Sequence, residues 1–238
     1  MSQAYRYTLG SKTYQFKDLA QLMAKATPQR SGDRLAGVIA QSAQERAVAQ
    51  LTLADVPLKT FLNEALVPYE NDEITRLIMD ENDNTAFAPI AHLTVGDFRN
   101  WLLSDHATSD VLAQIRQGVT PEMAAAVSKI MRNQDLILVA KKCHVSSAFR
   151  NTIGLPGHLS TRLQPNHPTD DINGIAASIL DGLLYGNGDA VIGINPATDN
   201  VAQAIKLMHL MDDVIQKYAI PTQSCVLTHV TNTIECIE

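Results

Sequence analysis

The sequence predicts an α/β protein: an incomplete (β/α)8 TIM-type barrel, preceded by a small β-hairpin and a helical N-terminal region. After about residue 154, strand-like and helix-like segments alternate with short connections, which is typical of parallel strands joined by crossover helices. Before that point, signals for short capped helices follow a hairpin pattern. We therefore divide the chain into residues 1–30 (hairpin plus helix), 31–150 (mainly helical) and 151–238 (the first βα units of a truncated barrel).

The composition excludes several classes of protein. Of the 238 residues, 45% are hydrophobic and 18% are charged, as in an ordinary globular protein. A net charge of -6 argues against a nucleic-acid partner, which needs a basic face. No apolar stretch approaches the ~20 residues of a membrane span, and residues 1–10 are too polar for a secretory signal. Cys143, Cys225 and Cys236 lack C-x-x-C spacing, so we expect free thiols in a reducing cytoplasm.

The first residues have the pattern of a hairpin followed by a helix. Residues 5–9 and 13–16 are rich in aromatic and β-branched side chains and flank the turn residues Gly10 and Ser11. Residues 16–26 have helix-forming composition, and we expect this helix to end before Pro28, because the residue before a proline avoids the helical region.

Further helix starts are marked by capping residues. Ser31 or Asp33 is the expected cap of one helix. Thr94 with Asp97 three residues later resembles a capping box in which aspartate replaces glutamate. Residues 120–122, Thr-Pro-Glu, combine a capping threonine, a proline at the first helical position and an acid near the positive helix end. We therefore predict an all-helical middle region.

The last part of the chain alternates between strand and helix patterns. In chain order the predicted elements are a strand at 157–164, a helix at 170–185, a strand at 190–195, a helix at 200–218, a strand at 224–230 and a helix that begins near residue 231. Because the last helix is cut short at Glu238, we expect the chain to be a truncated part of a longer protein. Three barrel strands in place of eight cannot close, so an edge of unpaired backbone groups is expected.

One face of the first predicted strand is polar. Successive strand residues face opposite sides, so this face carries His158, Ser160, Arg162 and Gln164. Parallel strands covered by helices are usually apolar on both faces. The polar row therefore requires a cavity, a ligand or solvent on its side of the sheet.

Three polar residues fall at the carboxyl ends of predicted strands: Arg162 and Gln164 on the first, and Asn195 on the second. Barrel and open α/β enzymes place their sites at this edge. In the alternative interpretation all three are exposed, unconnected loop residues that alanine can replace, and Asn195-Pro196 is only a turn dipeptide. The pattern alone leaves both interpretations open.

Other motifs do not meet the requirements of their chemistry. Residues 186–188, Gly-Asn-Gly, lack the third glycine of a dinucleotide fingerprint. Residues 80–84 begin like a calcium loop, but Thr85 stands where glycine is needed. No histidines have zinc spacing, and we predict no metal site. His229 is interpreted as structural, and Lys142 as a surface lysine, with the Schiff-base lysine of a barrel aldolase as its alternative role.

Several blocks, in order along nearly the whole chain, resemble the ethanolamine ammonia-lyase large (heavy, catalytic) subunit family, in its N-terminal half. These blocks are RSGDRLAGVIAQSAQERAVA (residues 30–49), YENDEITRLIMDEND (69–83), NTIGLPGHLSTRLQPN (151–166), GNGDAVIGINPATDN (186–200) and IPTQSCVLTHVT (220–231).

The resemblance implies a radical lyase. In this family a (β/α)8 barrel holds ethanolamine, a small subunit is the partner, and adenosylcobalamin (coenzyme B12) lies between the subunits. Cleavage of the cobalt–carbon bond gives a radical that abstracts hydrogen from the substrate, the amino group migrates, and acetaldehyde and ammonia leave. The resemblance also implies a homo-oligomer of large subunits and adds a bacterial microcompartment to the expected location. The charge, the hydropathy and the cysteines lead us to expect no nucleic-acid or membrane partner and a cytoplasmic location.

The resemblance assigns roles to four residues. Arg162 and Asn195 would hold the substrate hydroxyl, Gln164 the amine, and Pro196 would lie beside the cofactor. Arg162 would also act catalytically, as a fixed charge that polarises the rearranging radical. No histidine lies in the Asp-x-His-x-x-Gly motif that supplies a cobalt ligand in one class of corrinoid proteins, so the cofactor would keep its own lower base.

The resemblance also implies that this chain lacks activity by itself. The family's glutamate and aspartate that pair with the substrate ammonium would lie beyond Glu238, and a neutral Gln164 does not supply their charge. Two alternatives stay open. The chain is a non-catalytic assembly or interaction fragment that binds partner subunits through helices in residues 71–133, or it is an aldolase that uses Lys142.

Overall fold

The computed structural model describes residues 4–238 and divides the chain into two compact units, Met1–His144 and Val145–Glu238. Residues 1–3, which begin the predicted range 1–30, lie outside the described residues. The first unit contains the hairpin and the capped helices, and the second contains the parallel strands. Among the described residues, no helix has both the length and the apolar character that crossing a bilayer requires.

The first unit begins with the predicted hairpin. Strand β1 (Tyr5–Leu9) pairs antiparallel with β2 (Lys12–Phe16), and the hairpin prediction is confirmed. Gly10 in the turn has a φ of 61°, a left-handed conformation that glycine adopts without strain.

The remainder of the first unit is helical, and 3-10 turns at Tyr69–Asn71, Ala88–Ile90 and Arg116–Gly118 connect some of its helices. In chain order the helices are α1 (Leu19–Ala26), α2 (Ser31–Leu35), α3 (Ala43–Ala54), α4 (Thr60–Asn63), α5 (Glu73–Asp80), α6 (Asn84–Phe87), α7 (Val95–Leu103), α8 (Ser109–Ile115), α9 (Pro121–Lys129) and α10 (Asn133–Lys142).

Most of the predicted helix starts are confirmed. The hydroxyl of Thr94 accepts a hydrogen bond from the Asp97 N–H at 3.1 Å, and the Asp97 carboxylate accepts one from the Thr94 N–H at 3.3 Å, which completes the capping box. The prediction that Ser31 or Asp33 caps α2 is wrong. Arg30 takes the extended conformation before the helix, so Ser31 is already helical and no side chain caps this end.

The hairpin and the helices of the first unit share one core. Buried side chains of β2, α1, α3, α7 and α9 belong to a single apolar cluster. Glu64 joins the hairpin to α1, because its carboxylate accepts hydrogen bonds from the Tyr5 hydroxyl of β1 at 2.8 Å and from the Leu19 N–H of α1 at 2.7 Å. The predicted ranges 1–30 and 31–150 are therefore not separate domains in this structure, up to the boundary at His144.

The second unit alternates strands and helices as predicted. A short antiparallel pair, β3 (Ser147–Ala148) and β4 (Thr152–Ile153), is followed by β5 (Arg162–Leu163), α11 (Ile172–Leu184), β6 (Val191–Ile194), α12 (Val201–Lys217), β7 (Ser224–Val226) and α13 (Val230–Ile237). The last three strands are parallel, in the order β5-β6-β7. This sheet is open, and its membership of a (β/α)8 barrel stays a prediction.

Two predicted strands are too long. The strand predicted at 157–164 is confined to Arg162–Leu163, because Gly157 takes a φ of 76° and the ladder to β6 begins only where Arg162 pairs with Val191. Leu159 is accordingly 95% exposed. The strand predicted at 224–230 ends at Val226, because the residues after it turn into α13.

Within the second unit, the described helices cover one face of the parallel sheet. Leu163 pairs with Ile192, and both belong, with Ile194, to the apolar core of the second unit. That core also contains buried residues of α11 and α12, namely Ile175, Ile179, Leu207, Met211 and Ile215. On the opposite face, called the open face below, Arg162 and Gln164 are exposed. Both helices therefore lie on the same side of the sheet.

Candidate functional site

Arg162 and Gln164 contact each other on the open face. The Arg162 Nε–H donates a hydrogen bond to Gln164 Oε1 at 3.1 Å, and Arg162 Nη2 lies 3.7 Å from Cys225 Sγ. The guanidinium lies over Gly193: a Cβ added there would be 2.8 Å from Arg162 Cζ and 2.9 Å from Cys225 Sγ. Since contacts this short do not occur, the absence of a side chain at Gly193 makes room for the arginine.

Asn195 follows β6 on the same face. Because Ile192 and Ile194 point into the core, strand alternation places Gly193 and Asn195 on the opposite side. The Asn195 N–H donates to Asn166 Oδ1 at 2.9 Å, but its own side-chain Oδ1 is buried without a hydrogen-bond partner among the described residues. An unpaired buried carbonyl costs about 1–3 kcal/mol. It therefore marks a place where a ligand that donates a hydrogen bond would be stabilised.

Asp170 connects the loop after β5 to the loop after β6. Its carboxylate accepts hydrogen bonds from the Ala197 N–H at 2.8 Å, the Thr198 N–H at 3.0 Å and the Thr198 hydroxyl at 2.9 Å. Burial opposes ionisation of this carboxyl, but these hydrogen bonds outweigh it and hold the pKa of Asp170 below its ordinary value. The backbone at Asp170 is left-handed, with a φ of 53°.

Asp199 connects the loop after β6 to the loop after β7 in the same way. Its Oδ1 accepts hydrogen bonds from the Thr228 hydroxyl and the Asn232 amide, each at 2.6 Å, and these bonds lower the pKa of Asp199. His229 begins α13, where its Nδ1 accepts from the Thr231 N–H at 3.3 Å. His229 thus caps the start of α13, and the polar loops at this edge are linked in chain order.

The structure brings together two of the three predicted residues directly. Arg162 and Gln164 are exposed, but they are hydrogen-bonded to each other, so they are not the unconnected residues of the alternative interpretation. Asn195 lies after the neighbouring strand, and no hydrogen bond joins it to either of them within the described residues. Pro196 is half-buried beside it. What each residue binds stays a prediction.

The sequence did not reveal the residues that support this site. Asn166 and Asp170 were overlooked, although one signal was present: two aspartates precede α11, and a helix start uses only one of them as its cap. Asp171 is that cap and accepts from the Gly174 N–H at 2.7 Å. The second aspartate was therefore free for another role.

The aldolase alternative is not supported. The Lys142 ammonium donates to the backbone carbonyls of Leu102 at 2.9 Å and Ser104 at 2.7 Å. Lys142 thus completes hydrogen bonds at the carboxyl end of α7 and belongs to the helical unit, outside the parallel sheet. The described residues contain no group of three or more His, Cys, Asp or Glu side chains placed to hold a metal ion.

The arrangement suits a small polar ligand. A guanidinium supplies hydrogen-bond donors and a permanent positive charge, an amide oxygen supplies an acceptor, and the buried carbonyl of Asn195 supplies a second acceptor. Gln164 and Asn195 directly follow β5 and β6, whereas Arg162 is the first residue of β5 and does not lie at its carboxyl end as predicted. A parallel sheet with polar residues after its strands is typical of the class of α/β proteins that bind ligands at the carboxyl edge.

Comparison with known proteins identifies the family. The family model "Ethanolamine ammonia lyase large subunit (EutB)" matches residues 14–238, and the chain belongs to this family. It is 46% identical over 230 residues to the "Ethanolamine ammonia-lyase large subunit" of Escherichia coli, and equally identical to that of Salmonella typhimurium. Each alignment covers 97% of this chain and 51% of the relative, so the chain spans about half the length of the curated relatives it matches.

Proposed function

We propose that this chain forms the substrate-binding part of the large subunit of an adenosylcobalamin-dependent ethanolamine ammonia-lyase, a carbon–nitrogen lyase that converts ethanolamine to acetaldehyde and ammonia. One observation carries the proposal. Arg162 is held over Gly193 by Gln164, on the face of the sheet that also carries the unpaired carbonyl of Asn195. The family match adds independent support.

The three side chains match the groups of ethanolamine. A hydroxyl both donates and accepts a hydrogen bond, so it can donate to Asn195 Oδ1 and accept from the Arg162 guanidinium. Gln164 Oε1 accepts one bond from Arg162 and keeps a second lone pair for the substrate amine. Because Gln164 fixes the guanidinium, Arg162 presents a preorganised charge to the substrate oxygen during the rearrangement.

We assign one residue of this chain to contact with the cofactor. Pro196 is half-buried, has no N–H that would need a partner, and directly follows Asn195, so it is the residue that we assign to contact with adenosylcobalamin. Since none of the histidines in this sequence lies in an Asp-x-His-x-x-Gly motif, we expect a bound cobalamin to keep its own lower base. When bound, the cofactor supplies the radical chemistry, and the residues above supply binding and orientation.

The proposal includes a (β/α)8 barrel. Helices α11 and α12 lie on the same side of the sheet, as the outer helices of a barrel do, whereas a doubly wound sheet carries helices on both faces. We place the small subunit and further large subunits as partners, and the cytoplasm or a bacterial microcompartment as the location. The chain by itself is expected to be inactive, because the neutral Gln164 does not balance the charge of a substrate ammonium.

The test is an assembled enzyme. Its large subunit is a hybrid in which this chain replaces the matching half of the Escherichia coli large subunit. The hybrid is combined with the small subunit and adenosylcobalamin. We expect ethanolamine-dependent formation of acetaldehyde. Arg162→Ala should lower kcat/KM by about ten- to a hundredfold, because hydrogen bonds to a charged group contribute about 1.5–3 kcal/mol.

Arg34→Ala is the matched control. Arg34 Nη2 also donates to a glutamine, Gln29 Oε1, at 2.9 Å, and this pair is also exposed, but it lies in the helical unit. Its removal should leave kcat/KM unchanged. An Arg162→Ala enzyme with normal kcat/KM would refute the role of Arg162.

Two further outcomes bear on the whole proposal. A folded assembly that binds adenosylcobalamin but makes no acetaldehyde would refute the lyase function, and co-purification with the small subunit without turnover would favour the assembly-fragment alternative. Turnover by the 238-residue chain with only the cofactor and the small subunit would contradict its expected inactivity.

Gly193→Ala provides a second variant, in which Arg162 is kept in the sequence but its guanidinium is displaced. Its methyl group would occupy the space of the guanidinium, so we expect the same direction of loss in kcat/KM as for Arg162→Ala. Gly32→Ala is its control, because a Cβ there meets no atom within 4 Å. Equal activity of the two glycine variants would contradict the proposed position of Arg162 in the site.

A further inference from the structure

The segment that carries Asn195 and Pro196 is fixed through its backbone by two side chains of the preceding loop. Asn166 Oδ1 accepts from the Asn195 N–H at 2.9 Å. Asp170 accepts from the N–H groups of Ala197 and Thr198, at 2.8 and 3.0 Å. Pro196 has no N–H. Every backbone donor of residues 195–198 is therefore taken by a side chain of the loop between β5 and α11.

Asp170 is itself fixed. It is only 4% exposed, its N–H donates to the His167 carbonyl at 3.2 Å, and its own carbonyl accepts from Gln203 Nε2 of α12 at 2.8 Å. A carboxylate held by its backbone on both sides cannot follow a moving loop. It therefore acts as a rigid anchor for the residues that it binds.

We infer that Asn166 and Asp170 are positioning residues that orient the carboxamide of Asn195 for a substrate hydroxyl. With its backbone held, Asn195 has only its two side-chain torsions to vary, and its unpaired Oδ1 is ready to accept a hydrogen bond. A ligand then binds without having to order the loop, which is how preorganisation improves affinity. This inference rests on the role that we propose for Asn195 in substrate binding.

The first measurement is amide hydrogen exchange by NMR on the full chain. Asn166→Ala should accelerate exchange of the Asn195 amide about fivefold or more, as expected for loss of a hydrogen bond of ordinary strength, and leave Thr198 unchanged. Asp170→Asn should accelerate exchange of Thr198 and leave Asn195 unchanged. Asparagine tolerates the left-handed backbone at residue 170, so the change would reflect the lost acceptor and not strain.

Two variants serve as controls. Asn166→Asp keeps an acceptor oxygen and should restore slow exchange at Asn195. Asp171→Asn changes the neighbouring aspartate, which caps α11 and does not touch residues 195–198, and asparagine is an equally good cap. It should leave the exchange of the Asn195, Ala197 and Thr198 amides unchanged.

The second measurement separates positioning from a general structural effect in the assembled lyase. Asn166→Ala and Asp170→Asn should raise the KM for ethanolamine by about tenfold, the effect of losing one well-placed hydrogen bond, with a smaller change in kcat. Ethylamine, which lacks the hydroxyl, serves as a competitive inhibitor. Its inhibition constant should stay unchanged, because it makes no contact that depends on Asn195.

The outcomes are distinguishable. Unchanged exchange at Asn195 and Thr198 in the variants would overturn the inference, and so would equal losses for ethanolamine and ethylamine. A wild-type assembly that does not act on ethanolamine overturns the proposed function and the substrate part of this inference. The exchange pattern then decides by itself whether Asn166 and Asp170 hold the segment.

Discussion

The two units differ in how they use their surfaces. Among the described residues, the core of the first unit contains twenty-one buried apolar residues, whereas that of the second contains seven, for 144 and 94 residues of chain respectively. Helices and a hairpin enclose the first core, while only one face of the parallel sheet is covered in the second. The face that is left uncovered is the one that carries the polar candidate site. The second unit thus leaves a polar face of its sheet open and has a smaller buried apolar core to stabilise it.

Helix α13 also leaves part of its surface uncovered. Val230, Ile234 and Ile237 are 54–80% exposed and recur at helical spacing, which places them on one side of the helix. Within the second unit, no other element covers this stripe. We therefore expect the second unit to be the less stable of the two, and the following experiments test this difference.

The largest effect is expected from truncating a core leucine in the second unit. Leu207 and Leu53 are both 0% exposed, one in each unit. Leu→Ala costs about 2–5 kcal/mol at such positions. We expect Leu207→Ala to unfold the second unit, whose small core holds little reserve, and Leu53→Ala only to lower the urea midpoint of the first.

Trp101 allows the two units to be followed separately. It is the only tryptophan of the chain and lies in α7, so its fluorescence reports on the first unit, while amide exchange of residues 145–238 reports on the second. Retained slow exchange in the second unit of Leu207→Ala would contradict the proposed difference in stability.

Two glycines, one in each unit, extend the comparison, because a methyl group added at Gly118 would meet backbone atoms and one added at Gly193 would meet side-chain atoms. A Cβ on Gly118 would lie 2.5 Å from Phe87 Cα, so the backbone itself would have to move, and we expect Gly118→Ala to cost about 1–3 kcal/mol. In Gly193→Ala the methyl group meets side-chain atoms of Arg162 and Cys225 and no backbone atom, so the loss of stability should be smaller than that of Gly118→Ala. Thermal unfolding of both variants measures this. Equal costs would mean that Gly193 is also a packing position.

Acid should weaken the second unit first. Hydrogen bonds from Thr161 hold the pKa of Asp189 below its ordinary value, as other hydrogen bonds do for Asp170 and Asp199, and each of these carboxylates joins separate loops. A lowered folded pKa contributes stability that is complete above the unfolded value of about 3.9 and is lost as the pH falls through the folded value.

We therefore expect the protection of the amides in residues 145–238 against exchange, measured relative to their intrinsic rates at each pH, to fall below about pH 4, before the Trp101 signal of the first unit changes. In the first unit, the pKa of Asp72 and that of Asp135 are also lowered, but these carboxylates accept their hydrogen bonds at the start of their own helices and do not join separate loops. Asp199→Asn should reduce the pH dependence of the second unit, because the residue no longer titrates. A Trp101 transition that precedes the exchange change would disprove this order.

The smallest effect is expected at a helix cap of the first unit. Thr94→Ala removes one half of the capping box of α7 and should cost about 1 kcal/mol. Thr94→Ser keeps the hydroxyl and should cost less. Urea unfolding followed by Trp101 checks both. A loss as large as that of Leu207→Ala would mean that the first unit has no more reserve than the second.

The local signals of the sequence predicted most of the fold. Capping residues, turn glycines and apolar spacing act over a few neighbouring residues. They correctly located the hairpin, the capping box at the start of α7 and the alternation of strands and helices. Strand ends were less predictable, because a strand is as long as the neighbour that it pairs with. Nothing near residue 159 reveals that β6 first pairs at Arg162.

The site was predictable to the same degree. Alternation along a strand placed Arg162 and Gln164 on one face, and the structure joins them. Asn166 and Asp170 were missed, because their partners are backbone groups about 30 residues away, and an N–H group carries no mark in the sequence. Only the complete set of hydrogen bonds around residues 195–198 reveals their role.

Gly193 has a consequence for transplanting this pocket into other scaffolds. If the arginine, glutamine and asparagine were copied onto a different sheet, the same side chains would be present. Any residue other than glycine beneath the guanidinium, however, would displace it. The missing side chain at residue 193 is therefore as much a part of the candidate site as the guanidinium above it.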